Sequence, residues 1–145
     1  MKFNKANNFA AYLVSQGLVY APQKQAAKCF VKQVLDIDAI DWSGDMPDNS
    51  FKAAILPSKE KLQEIQGNKI KTIVESPKVF CLGMNVLDLQ AFTLLEHVFE
   101  KDIYYQARRQ NLFIIGFYTL HWVVLFTKHN QGFNPGFTNR RTIAL

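Results

Sequence analysis

The sequence predicts an α/β (or α+β) fold: a single layered domain in which helices pack on a mixed sheet. Three observations lead there. Strand-like apolar runs alternate with helical periodicity through the middle of the chain. The length, 145 residues, suits one domain. The composition, 48% hydrophobic and 13% aromatic with only 20% charged residues, is rich enough for a self-supporting core and excludes a disordered chain.

Taken in order, Asn4 to Gln16 reads as a helix, with Phe9, Tyr12 and Leu13 at offsets of three and four on one face and Gly17 at its end. Leu18–Tyr20 and Lys28–Val34 read as strands, Phe30 and Val34 flanking an outward Lys32. Residues 36–50 form an acidic loop. Phe51–Leu56 reads as a strand stopped by Pro57, and Ser58 as the cap of a helix Lys59–Gln66 that Gly67 closes. Lys69–Val74 and Lys78–Leu82 are strand-like on either side of Ser76-Pro77. Gly83-Met84-Asn85 then turns the chain into a helix from about Leu87 to Phe99, with Leu87, Ala91, Leu94, Leu95 and Val98 as its expected buried stripe. Asp102 is placed to cap a second helix through Arg109, and Leu112–Gly116 is the next strand. The region from Gly132 to Gly136 is turn chemistry around Pro135.

Several classes drop out. Two cysteines, Cys29 and Cys81, cannot make a disulfide scaffold or supply the four thiolates of a cubane iron–sulfur cluster. The apolar stretch Phe9–Val14 is too short for the centre of a secretory signal. Leu112–Phe126, the most apolar run, falls short of the ~20 residues of a spanning helix. Its Ile, Val, Phe and Trp favour two buried strands joined between Gly116 and Thr119. No membrane span and a cytoplasmic location are therefore expected.

The net charge of +5 is unevenly placed. Residues 1–35 hold five lysines and no acid, whereas 36–50 hold Asp36, Asp38, Asp41, Asp45 and Asp48 and no base. A calcium loop fails on apolar Ile40 at a ligand position and on the missing glycine and closing glutamate. A nucleic-acid reading finds no zinc-finger spacing, helix-turn-helix signature or aromatic-rich recognition motif, so no nucleic-acid partner is expected.

Catalytic motifs are equally scarce. His97, His121 and His129 have no metal-ligand spacing with either cysteine, so no metal, cofactor or catalytic residue is assigned. There is no G-x-S-x-G elbow, G-x-G-x-x-G turn or P-loop. The turn after the strand ending at Leu82 is the one candidate ligand or anion site, through Gly83, Asn85 and Asp88. Asp88 there reads as an N-terminal helix charge before it reads as a base.

Three segments in order resemble a known family: LVYAP at Leu18–Pro22, ILPSKEKL at Ile55–Leu62, and VFCLGMNVLDLQAFTLLEHVFEKDIYYQARRQNLFIIG at Val79–Gly116. They look like the amino-terminal domain of the sulfhydrogenase beta subunit, of its counterpart in anaerobic sulfite reductase and of related 4Fe-4S dicluster proteins. The resemblance spans about residues 3–116 and rests chiefly on Gly83, Asp88-Leu89, Tyr104-Tyr105, Arg108-Arg109 and Ile114-Ile115-Gly116. Leu87 stands where the family has a cysteine, and 117–145, the divergent apolar and basic carboxyl-terminal segment, contains none.

The resemblance implies a non-catalytic accessory domain of a redox complex that carries no cluster itself and binds a protein partner or a second copy. Tyr104, Tyr105, Arg108, Arg109 and Trp122 are the candidate interaction residues. Helical spacing suggests that Tyr105 and Arg109 stack, and that at least one arginine pairs with Asp88 or with the acidic block. The segment Phe117–Leu145 is expected to pack on the domain or on a partner. A small-ligand domain binding a nucleotide or flavin at the 83–88 turn is the alternative.

Overall fold

Three apolar runs, LVYA, VFCLGM and LFIIG, have no alternating polar residues, the pattern of strands covered on both faces. In the computed structural model, which describes residues 2–74, 76–118 and 121–125, they lie side by side and parallel as β1 (Leu18–Gln25), β5 (Val79–Met84) and β6 (Leu112–Tyr118). Their first residues are in register, Leu18 against Val79 and Val79 against Leu112. Antiparallel strands flank them: β2 (Lys28–Gln33) on β1 and β7 (His121–Leu125) on β6, giving the order β2-β1-β5-β6-β7. The expected α/β domain with a mixed sheet is what forms.

Alternate side chains feed two cores. On one face Val19, Ala21, Phe80, Leu82 and Ile115 meet Ala10 and Leu13 of α1 (Lys2–Gln16). Phe80 stacks on Phe113 there, with ring centroids 5.1 Å apart. Tyr12, expected on the buried face of α1, is exposed, because Ala10 and Leu13 set the contact side. On the other face Val79, Cys81, Met84, Leu112 and Ile114 are covered by α2 (Lys52–Ile55), α3 (Val86–Val98) and α4 (Ile103–Gln110).

Gly17 ends α1 for a reason other than a left-handed cap. A Cβ on it would stand 2.4 Å from the carbonyl oxygen of Lys78, which accepts the Leu18 N–H at 2.9 Å. The close approach is what lets β1 start beside β5. The turn between β1 and β2 puts Ala26 at φ 55°, a left-handed conformation that glycine tolerates better.

The region between β2 and β5 departs from the sequence expectation. Residues 51–56, which the sequence predicts as a strand, contain a short helix with Phe51 fully buried at its start. Residues 59–66, which the sequence predicts as a helix, are a loop followed by β3 (Gln63–Gln66), which pairs with β4 (Lys69–Thr72) in a hairpin set apart from the main sheet. Gly67 at φ 61° is the first residue of its two-residue turn, so it closes a hairpin in place of a helix end. Ser58 caps nothing helical. Ile65 and Ile70 face each other across the hairpin, so strand pairing outweighs the helical propensity of Lys, Glu and Gln.

The β2 edge is closed by its own chain. The Asn49 side chain accepts from the Val31 N–H at 2.6 Å and donates to the Val31 carbonyl at 3.0 Å, while the Asp48 N–H bonds the Cys29 carbonyl at 2.7 Å. An edge capped in this way does not template a further strand. Within the apolar run the described residues form the expected two strands, antiparallel, the first running on through Gly116 to Tyr118, and no helix among the described residues is long and apolar enough to cross a membrane. The rest of the Phe117–Leu145 expectation, and the Gly132–Gly136 turn, lie outside the described residues.

Replacing Gly17 by alanine should cost about 1–3 kcal/mol in urea denaturation, since the new methyl meets a backbone oxygen that cannot swing aside. A variant as stable as the parent would show that the approach of Gly17 to Lys78 is not a constraint.

Candidate functional site

β5 ends in a bulge. Leu82 pairs with Ile115 and Met84 with Gly116, so Gly83 at φ 87° is the extra residue. The bulge moves Met84 to the Cys81 face and starts α3 at once. Asn85 caps that helix: its Oδ1 accepts the Asp88 N–H at 2.8 Å, and its Nδ2 donates to Asp88 Oδ2 at 3.0 Å. Asp88 is 7% exposed. Burial pushes its carboxyl up, and the Phe51 N–H, Asn85 and Lys52 oppose that only in part. Asp88 therefore joins the start of α3 to Phe51 and has the role of a helix-start charge. It is not a base open to a ligand.

The acidic loop folds over Gly83 and Asn85. Together with Pro22 they line a cleft of about 120 Å³ with Asp41, Trp42, Gly44, Asp45 and the Met46-Pro47 pair. Each loop contact has a local cause. The Asp41 N–H bonds the Pro22 carbonyl at 2.8 Å, and Ile40 is buried under α1. Trp42 donates to Asn7 at 2.9 Å, and Asn7 donates to Asp38 at 3.0 Å. The Lys24 ammonium bridges Asp41 at 3.4 Å and Asp45 at 3.6 Å. Burial alone would raise the Asp41 carboxyl, but the Ser43 hydrogen bonds and Lys24 outweigh it and hold the carboxyl below its ordinary value.

Chemically the cleft is poorly suited to catalysis. Burial, then the neighbouring Asp41 and Asp45, push the Cys29 thiol up and keep it protonated. Burial does the same to Cys81 on the opposite core. Among the described residues no three His, Cys, Asp or Glu side chains form a metal-binding group. The two carboxylates in the lining disfavour the phosphates of a nucleotide.

The tyrosine and arginine pairs of α4 turn inward. Asp102 caps the helix, accepting from the N–H groups of Tyr104 and Tyr105, both at 2.8 Å. Tyr104 donates its hydroxyl to the Leu62 carbonyl at 3.4 Å. Tyr105 is fully buried, stacks on Phe99 at 5.2 Å, and has its phenol pushed up to about 12 by burial and by Glu96. Arg108 donates to the Ile55 carbonyl at 2.6 Å and pairs with Glu60. Arg109, 5% exposed, pairs through Nε with Glu96 at 2.5 Å. Both arginines thus have carboxylate partners, but these are Glu60 and Glu96 in place of the expected Asp88 or acidic block. Helix geometry puts Glu96 on α3 across from α4, whereas Asp88 is held by Phe51. The Trp122 side chain lies outside the described residues.

The orientation of α3 is what the sequence pattern does not reveal. Three residues of its expected buried stripe face outward, Leu87 at 61%, Leu94 at 65% and Val98 at 63% exposed, while Ala91 is half-buried and Leu95 packs on the core as expected. Phe92 is buried instead, with Leu89, Leu95 and Phe99 packed beside it. Apolar residues fill two flanks of the helix beside a polar strip of Gln90, Thr93 and His97, so periodicity did not choose between the flanks. The clue lay in charge. Asp88 and Glu96 are the only ionised residues from 86 to 98, and both are used inside the domain. The outward half is left with no lysine, arginine or unpaired carboxylate.

Glu96→Ala should cost about 2–3 kcal/mol, because it strands the buried Arg109 guanidinium, while the pair Glu96→Leu with Arg109→Met should cost less than the single change. A single variant no less stable than the double would show that the ion pair does not hold α3 to α4. For Asp41, whose folded pKa is lowered, the stability it contributes is present above the ordinary carboxylate pKa and lost as pH falls through the lowered value. Asp41→Asn should cost roughly 1 kcal/mol at neutral pH and flatten the fall in stability on acidification. An unchanged pH profile would exclude Asp41 as a contributor.

Comparison with family models, with curated proteins and with solved structures gives no match to this chain.

Proposed function

We propose that the chain is a non-catalytic, cytoplasmic protein-interaction domain that binds through the outward face of α3. The observation that carries this reading is the uncharged apolar surface of Leu87, Leu94 and Val98, each more than half exposed. A surface helix ordinarily puts charged residues opposite its buried side. Clusters of exposed apolar side chains rimmed by polar ones mark interaction sites. Gln90, Thr93 and His97 supply such a rim here.

The resemblance to amino-terminal domains of sulfhydrogenase beta subunits and of their anaerobic sulfite reductase counterparts supports an accessory role beside an electron-transfer complex. The cysteine those domains carry in the turn is Leu87 here, on the exposed face, so the position serves contact and does not ligate a cluster. The alternative, a small-ligand site at the 83–88 turn, is favoured by the cleft beside Gly83 and Asn85. Against it stand the paired carboxylates of that cleft and the buried state of Asp88.

The test is the triple variant Leu87→Gln, Leu94→Gln, Val98→Gln. It should keep the parent's stability to within about 0.5 kcal/mol per site, as surface changes do, and should lose binding of an environment-sensitive apolar dye or self-association. A loss of roughly 2 kcal/mol or more per site would show that the face is covered within the chain, and would overturn the reading.

A further inference from the structure

We infer that the occupant of the α3 face is a second copy of this chain, its α3 antiparallel to the first about a two-fold axis. The inference rests on the reading of that face as an interaction surface. The geometry lies in the spacing of Leu87, Ala91, Leu94 and Val98, which runs four, three, four and is the same read from either end. A two-fold axis midway between Ala91 and Leu94 sets Ala91 against Leu94 of the second copy, and Leu87 against Val98. Each contact joins a larger side chain to a smaller one, as interdigitated helix packing requires. The four-three-four step is also the seam spacing of paired helices, and an isologous contact needs this kind of self-complementary patch.

Charge selects the partner. The chain carries +5, and two copies repel each other wherever lysines meet. The outward half of α3 is a surface without lysine or arginine from 86 to 98, so it admits a like-charged copy. A nucleic acid would find no cation there. The carboxyl-terminal stretch 126–145, with Lys128, Arg140 and Arg141 and no acid, would find no free carboxylate to pair with. The β2 edge, another route to self-association, is closed by Asn49 and Asp48.

Sedimentation velocity of the full chain over a range of concentrations tests this. The wild type should form a dimer. Leu87→Glu and Val98→Lys, both at highly exposed positions, should each weaken it by about tenfold or more and leave unchanged the melting temperature measured at concentrations low enough to dissociate the wild-type dimer. An equimolar mixture of the two variants should recover dimer, because the antiparallel register sets the introduced glutamate of one copy against the introduced lysine of the other. A wild type that is monomeric throughout would overturn the inference. If the triple glutamine variant is then as stable as the parent, the face remains open to a different protein and the broader reading survives. A dimer insensitive to both variants would place the contact elsewhere. A dimer that both variants break and the mixture does not restore would exclude the antiparallel register. Variants that melt earlier than the parent even where both are monomeric would show that the face is covered internally and would overturn both readings.

Discussion

The parallel ribbon of β1, β5 and β6 must be covered on both faces, and most of the remaining structure follows from that need. Its strands are continuous apolar runs with Val79 to Leu82 buried without a break, so neither face can meet water. Burying a large apolar side chain contributes roughly 1.5–3 kcal/mol. One layer alone would leave half of them exposed. Helix α1 closes one side, and α2, α3 and α4 close the other. The register is tight at its start, where Gly17 passes against Lys78 with no room for a methyl group.

The carboxyl end of the ribbon shows how one backbone irregularity organises several elements. The bulge at Gly83 turns Met84 toward the α3 side and delivers Asn85 to the cap position. Asp88 then answers both Asn85 and the Phe51 N–H, so the start of α3 and the start of α2 are held by one carboxylate. The acidic loop closes over the same end, its Asp41 and Asp45 bridged by Lys24. Groups that looked like ligand-binding chemistry in the sequence are used to join elements. The cleft they leave is small and holds no activated nucleophile.

Helix α3 is the exception to this inward use of side chains. Phe92 and Leu95 meet the sheet, and Glu96 holds Arg109 of α4, whereas Leu87, Leu94 and Val98 are left outside. Three buried polar atoms, Tyr105 Oη, Gln106 Oε1 and Arg109 Nη1, have no hydrogen-bond partner among the described residues, so the α4 side of this layer is polar within. Tyr105, Arg108 and Arg109 thus hold α4 against its neighbours, Arg109 through Glu96 of α3, and the outward flank of α3 is apolar.

Features decided by a few neighbouring residues were legible in the sequence. The three central strands were legible as apolar runs, and the structure added that they pair in parallel. Asp102 was legible as a cap because a short side-chain oxygen beside a helix start has the helix's own N–H groups within reach, and Asn85, read only as part of the turn, caps α3 in the same way. Gly83 marked the strand-to-helix turn because a backbone at φ 87° excludes most side chains. Three further features depended on groups distant in sequence. Residues 51–66 changed class because Phe51 found a core pocket and Ile65 found Ile70. Arg108 and Arg109 paired with Glu60 and Glu96 because the packing of α4 on α2 and α3 brought those carboxylates near. The buried face of α3 was set by the sheet, since the helix has two apolar flanks, Phe92 with Leu95 and Leu87 with Leu94 and Val98, and the one that fits the surface opposite turns inward.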